Sequence, residues 1–131
     1  MPQTRKARSS SSKKDITIFF LELLSTIKIY HWNTYDYSAH KATDELYSTL
    51  SDNVDKFMEV YMGTTNQRIP LSTRTSISLN NLSKPAMKSY IQKSINHLEK
   101  IKLPSKNTDL YNIRDEMLAN LNQFLYLFTF K

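Results

Sequence analysis

Apolar side chains recur at steps of three and four along four separate stretches of this chain, and that period restricts the fold more than any other feature. Such spacing puts the apolar positions on one face of a helix, and each face needs another helix to cover it. The first stretch carries Ile16, Phe19, Phe20, Leu23, Leu24, Ile27 and Tyr30, and the second Leu46, Leu50, Val54, Phe57 and Tyr61. Met87, Tyr90, Ile91, Ile95 and Leu98 form the third. Leu110, Ile113, Met117, Leu121, Phe124, Leu125 and Phe128 form the fourth. A single glycine in 131 residues supports the same reading, because a β-rich chain needs glycine at its tight turns.

Punctuation residues set the expected boundaries. Helix one is predicted from an Asp15 cap to Asn33, and helix two from a Ser38 cap to Met62 with Gly63 as a left-handed stop. Helix three begins after Ser83 with Pro85 in its first turn and ends before Pro104, and helix four begins at Asn107 or Thr108. Thr64 to Leu82 is a long connection, of the length a bundle uses to cross between its two halves. The expected architecture is an all-α four-helix bundle over residues 15–131, formed as one domain. The run Phe124 to Phe130 is apolar around most of the helix, which predicts a homo-oligomer interface.

Residues 1–14 read differently. Arg5, Lys6, Arg8, Lys13 and Lys14 precede the first acid, Asp15, so five of the net +6 charges lie there and the remainder of the chain is near +1. With Ser9 to Ser12 and no apolar cluster, the segment reads as a disordered basic arm. Such an arm binds nucleic-acid phosphates without sequence preference, by counterion release. The absence of cysteine excludes disulfides, thiolate nucleophiles and cysteine-bound zinc, so any metal must rest on His and carboxylate. No apolar run is long enough to span a bilayer, and the serines after the first basic residues do not fit a signal peptide. A soluble intracellular protein without membrane partners is expected.

One constellation has the residue types for metal binding. His31 and His40 flank the first turn, and Asp44, Asp55 and Glu59 follow His40 at steps of four, eleven and four. At about 100° per residue these positions share one side of helix two, beside the apolar stripe rather than at its centre. Imidazole and carboxylate together suit hard or borderline cations. The plainer reading of Asp55 and Glu59 is a solvated face with Lys41 and Lys56 as partners. Trp32, Tyr30, Tyr35 and Tyr37 read as packing residues at the turn, and His97 as a surface or interface residue.

The run His31-Trp32-Asn33, His40 with Asp44, and Asp55-x-x-x-Glu59 resembles the ferroxidase signature of the Dps proteins, the miniature ferritins. The segments around His31-Trp32 and His40 to Tyr47 also resemble short ferritin-like chains of phages and large DNA viruses. The stretch between the two histidines, and the chain itself, are shorter than in the Dps family. The resemblance implies a ferritin-like bundle in which His31, His40 and Asp44 of one chain face Asp55 and Glu59 of another across bound iron. It implies Fe(II) oxidation by oxygen or peroxide, a homo-oligomeric shell, and an arm that contacts DNA. The competing expectation is a non-catalytic structural or nucleic-acid-packaging protein, cytoplasmic or in a virion, that keeps the bundle for assembly.

Overall fold

The computed structural model describes residues 2–71 and 74–131, with side chains described from Lys13 onward. It contains four helices, α1 Pro2–Asn33, α2 Tyr37–Thr65, α3 Lys84–Glu99 and α4 Thr108–Leu127, and no strand among the described residues. The all-helical class read from periodicity is therefore the one observed. Among the described residues no helix is long and apolar enough to cross a membrane.

The four stripes meet in one core. Phe20, Leu23 and Ile27 of α1 are fully buried with Leu50 and Phe57 of α2, Met87, Ile91 and Leu98 of α3, and Leu110, Met117, Leu121 and Phe124 of α4. Phe20 meets Phe57 edge to face, with ring centroids 5.4 Å apart, an arrangement that adds stabilisation beyond the buried area.

Contacts at the helix ends give the topology. Lys13 reaches Thr65 while His31 meets His40, so α1 and α2 run antiparallel. Ser38 bonds to Phe130 and Asn53 to Asn120, so α2 and α4 are also antiparallel. Arg114 reaches the carbonyls of Leu98 and Glu99 while Lys84 lies over Phe128, which makes α3 and α4 the second antiparallel pair. It follows that α2 and α3 are parallel. The connection between caps Asn66 and Ser83 must therefore return along the bundle. That distance is about 45 Å at the helical rise of α2, within the roughly 60 Å that such a segment reaches when extended. Ser78 N–H donates to the Glu22 carboxylate at 3.1 Å and fastens the connection to α1 along the way.

Several boundaries differ from the sequence reading. α1 begins at Pro2 rather than Asp15, so the basic segment belongs to the same helix. Proline is tolerated at the first helical position, and no glycine or further proline interrupts the residues up to Asn33. The cap of α2 is Asp36, whose carboxylate accepts from Ser38 N–H at 3.1 Å, and not Ser38 itself. Gly63 lies inside α2; Asn66, at φ 53°, makes the left-handed stop. Asparagine takes that conformation more readily than any other non-glycine residue because its short amide can bond locally. Ser83 caps α3 as expected, its hydroxyl accepting from Ala86 N–H at 3.3 Å.

Candidate metal centre

The tight turn between α1 and α2 determines where the two histidines sit. Thr34 N–H closes the end of α1 on the Tyr30 carbonyl at 3.0 Å, and the Thr34 hydroxyl accepts from Asp36 N–H at 3.1 Å. Asp36 then caps α2, and its carboxylate also pairs with Lys84 of α3 at 3.3 Å. The Ser38 hydroxyl lies 2.9 Å from both the Asp36 carboxylate and the Phe130 carbonyl. Hydrogen bonds from Ser38, first its hydroxyl, together with the nearby Lys84 ammonium hold the Asp36 carboxyl below the usual carboxylate range.

His31, in the last turn of α1, and His40, in the first turns of α2, stack face to face with centroids 3.9 Å apart and planes 16° apart. Their backbones hold them in a reciprocal pair. His31 Nδ1 lies 2.9 Å from the His40 carbonyl, and His40 Nδ1 lies 2.9 Å from the His31 carbonyl. A carbonyl oxygen only accepts, so each Nδ1 carries the hydrogen, and in the neutral rings each Nε2 keeps its lone pair. A backbone carbonyl bonded to Nδ1–H in this way orients the imidazoles that ligate metals. Thr43, fully buried, supports it from below: its Oγ1 is 3.2 Å from His31 Nδ1 and donates to the Ala39 carbonyl at 2.8 Å. The sequence reading passed over Thr43, although its place three residues after His40, on the same helix face, was the available signal.

Within one chain the three carboxylates do not gather around this pair. Asp44 is exposed and lines a cleft of about 350 Å³ with Lys41, Glu45, Leu127 and Phe130. Asp55 and Glu59 are exposed further down α2, roughly 20 and 30 Å along the axis from His40. Among the described residues no three His, Asp or Glu side chains gather as a metal-binding group. The ion pairs among the described residues are Lys84–Asp36 and Arg114–Asp115, so Asp55 and Glu59 have no partner in Lys41 or Lys56.

The aromatic residues of the turn divide. Tyr30 is buried edge to face on Phe128 at 5.5 Å, as a packing residue should be. Trp32, Tyr35 and Tyr37 are instead exposed, at 69%, 106% and 71%, because they leave the outer side of the turn, where no second helix of the chain reaches. Tyr126, in the last turn of α4, and Phe130, just beyond it, add two more exposed rings to that end of the bundle. His97 is exposed on α3 with its ring 4.2 Å from that of Phe19.

The side chains of Arg5, Lys6 and Arg8 lie outside the described residues. Lys13 is not presented to a partner: its ammonium donates to Thr65 Oγ1 at 2.8 Å and lies 5.1 Å from the Tyr61 ring centroid. Burial pushes its pKa down. Lys14 is half-buried beside it.

No curated protein and no solved structure matches the chain. One family profile does, the "Family of unknown function (DUF5856)", over residues 31–128. The match starts at the first histidine of the stacked pair and takes in α2, the crossing connection, α3 and α4, about three quarters of the sequence. The chain belongs to this family.

Proposed function

We propose that the protein is a ferritin-like iron-binding bundle whose metal site is completed between two copies, with Fe(II) as the ion bound and oxidised. The stacked pair His31 and His40 carries this reading. Both imidazoles are fixed through Nδ1, and each leaves its Nε2 as a lone-pair donor. Two neutral nitrogens alone hold a hard cation poorly, and carboxylates must complete the set. Asp44 is close along α2, whereas Asp55 and Glu59 are too far from the histidines of their own chain and are exposed to a neighbour's. A second copy laid antiparallel along α2 brings Asp55 and Glu59 of one chain toward His31, His40 and Asp44 of the other. The crossing connection between α2 and α3 is also the kind used by ferritin-like bundles.

The residues present fit iron by donor chemistry, nitrogen and oxygen without sulfur. Iron bound there supplies the electron that oxygen or peroxide takes up. The protein's part is to bind and orient: Thr43 and two backbone carbonyls hold the rings, and the carboxylates offset the ion's charge.

The test is anaerobic Fe(II) titration of the full chain, followed by oxygen or peroxide with ferric absorbance as the readout. Saturable binding is expected, and His31→Ala and Glu59→Ala should each remove it. Because the site draws on two chains, mixing these two variants should restore part of the binding. Absence of saturable binding in the parent, or a mixture no better than its components, would reject the inter-subunit centre.

A further inference from the structure

Every charged residue of α2 is exposed, and the balance among them is acidic. Asp44, Glu45, Asp52, Asp55 and Glu59 stand against Lys41 and Lys56, a local charge of −3 on a chain that carries +6 as a whole. None of these side chains takes part in an ion pair among the described residues, where the pairs are Lys84–Asp36 and Arg114–Asp115. At about 100° per residue, Asp44, Ser48, Ser51 and Asp55 form the middle of the arc from His40 to Glu59, and Lys41 and Lys56 fall at or beyond its edge.

Two copies paired antiparallel along this face place Ser48 and Ser51 beside the symmetry axis, where their small side chains let the helices approach closely. The same symmetry sets Asp44 of each copy against Asp55 of the other, carboxylate to carboxylate. Little apolar surface offsets that repulsion. Beyond Tyr37 in its first turn, α2 has no exposed large hydrophobic side chain among the described residues. The face from His40 to Glu59 is about 29 Å long and one helix, about 10–12 Å, wide. It offers on the order of 300–350 Å² per copy, well under the ~800 Å² that a stable pair buries on each side.

We propose that the ion itself joins the two copies: the α2 faces of the metal-free chain repel each other, and a divalent cation bound between them fills the site and makes the pair in one equilibrium. Resting on the iron reading above, this adds that the chain without metal does not pair along α2. A positive ion between the carboxylates of two copies turns their repulsion into attraction, whereas one copy alone gathers too few ligands to hold it. Because two chains and two ions then form one pair, the Fe(II) concentration at half-saturation falls about threefold for each tenfold rise in protein concentration. A pair already assembled without metal has no such dependence.

The chain has no cysteine, so Ser48→Cys supplies a unique thiol at the contact. The full chain with that substitution, stripped of metal and kept under nitrogen, is treated with a short bismaleimide with and without Fe(II), and cross-linked pairs are measured on a denaturing gel. Fe(II) titrations of the parent at protein concentrations about tenfold apart run beside it. Fe(II) should raise the cross-linked fraction at least tenfold, a chelator should reverse the gain when added before the cross-linker, and His31→Ala should abolish it. A thiol placed instead at Asn112 of α4 should gain nothing. In metal-free protein, Glu45→Gln/Asp52→Asn, which spares the proposed ligands, should raise cross-linking severalfold, and so should added salt, which screens the repulsion. Equal cross-linking with and without Fe(II), beside saturable binding whose midpoint ignores protein concentration, overturns the inference and leaves the iron reading in place. Saturable binding with no Fe(II)-dependent cross-link at Ser48→Cys overturns it too, as does metal-free pairing that salt weakens, the mark of complementary charges. Absence of saturable Fe(II) binding removes both.

Discussion

Asn53 of α2 donates its side-chain amide to the Asn120 carbonyl oxygen of α4 at 2.8 Å, a polar clasp between two helices that otherwise meet through apolar side chains. Sliding either helix by one turn would separate the two amides and leave both partly buried without partners. Asn53→Ala is therefore expected to destabilise the fold by about 1–3 kcal/mol, because Asn120 is left unsatisfied. The double variant Asn53→Ala/Asn120→Ala should lose less than the sum of the single losses. Urea denaturation of the three variants gives the coupling directly, and strictly additive losses would mean the pair does not act as a unit.

The core offers a larger effect. Phe57 is fully buried, with Phe20 and Tyr61 both edge-on to it. Phe57→Ala should lower stability by about 3–5 kcal/mol, and Phe57→Leu by clearly less, since much of the volume is kept. Denaturant midpoints at unchanged slope would verify this.

Asp36 predicts a pH dependence. Its carboxyl is held below its ordinary range in the folded chain, chiefly by the Ser38 hydroxyl. A group depressed on folding contributes stability at pH values above its unfolded pKa, and that contribution disappears as pH falls through the folded value. Asp36→Asn retains a capping oxygen but does not titrate, so its melting temperature should fall less steeply than the parent's on the acid side. Parallel acid limbs for the two proteins would contradict the assignment.

Thr43→Val tests the support beneath the imidazoles. The substitution keeps the shape of a fully buried side chain and removes the hydroxyl that lies 3.2 Å from His31 Nδ1. Under the proposed iron-binding role, metal affinity should fall about 10- to 100-fold, with a far smaller change in the thermal midpoint. Fe(II) titration beside a melting curve separates the two effects.

Asn66 ends α2 in the left-handed region, where glycine has no steric penalty. Asn66→Gly should leave stability unchanged or raise it by up to about 1 kcal/mol, and Asn66→Ala should lower it. Gly63→Ala should in turn stabilise, since the residue is helical and an added Cβ meets nothing within 4 Å.

The contrast between Gly63 and Asn66 shows how far sequence carried the fold. Periodicity identified which residues are buried, since Leu46, Leu50, Val54 and Phe57 repeat at helical steps whatever the ends do. Helix ends depend on a few local hydrogen bonds, and Asp36 competed with Ser38, as Asn66 did with Gly63, through bonds that composition does not reveal. For the candidate site, the meeting of His31 and His40 was legible because a short turn separates them. The reciprocal carbonyl bonds and the Thr43 hydroxyl were not, because they depend on backbone positions on two helices. The exposure of Trp32, Tyr35 and Tyr37 was misjudged for a related reason: apolar bulk argues for burial, but only topology decides whether anything lies above the turn.

The return path between α2 and α3 also shapes the order in which the chain acquires its structure. The meeting of His31 with His40 closes 9 residues, whereas Ser38 with Phe130 closes 92, an added loop entropy of about 2 kcal/mol. Local hairpins are thus entropically favoured to collapse first, and their docking, delayed by the intervening strap, becomes the slow event that commits the molecule to its native arrangement.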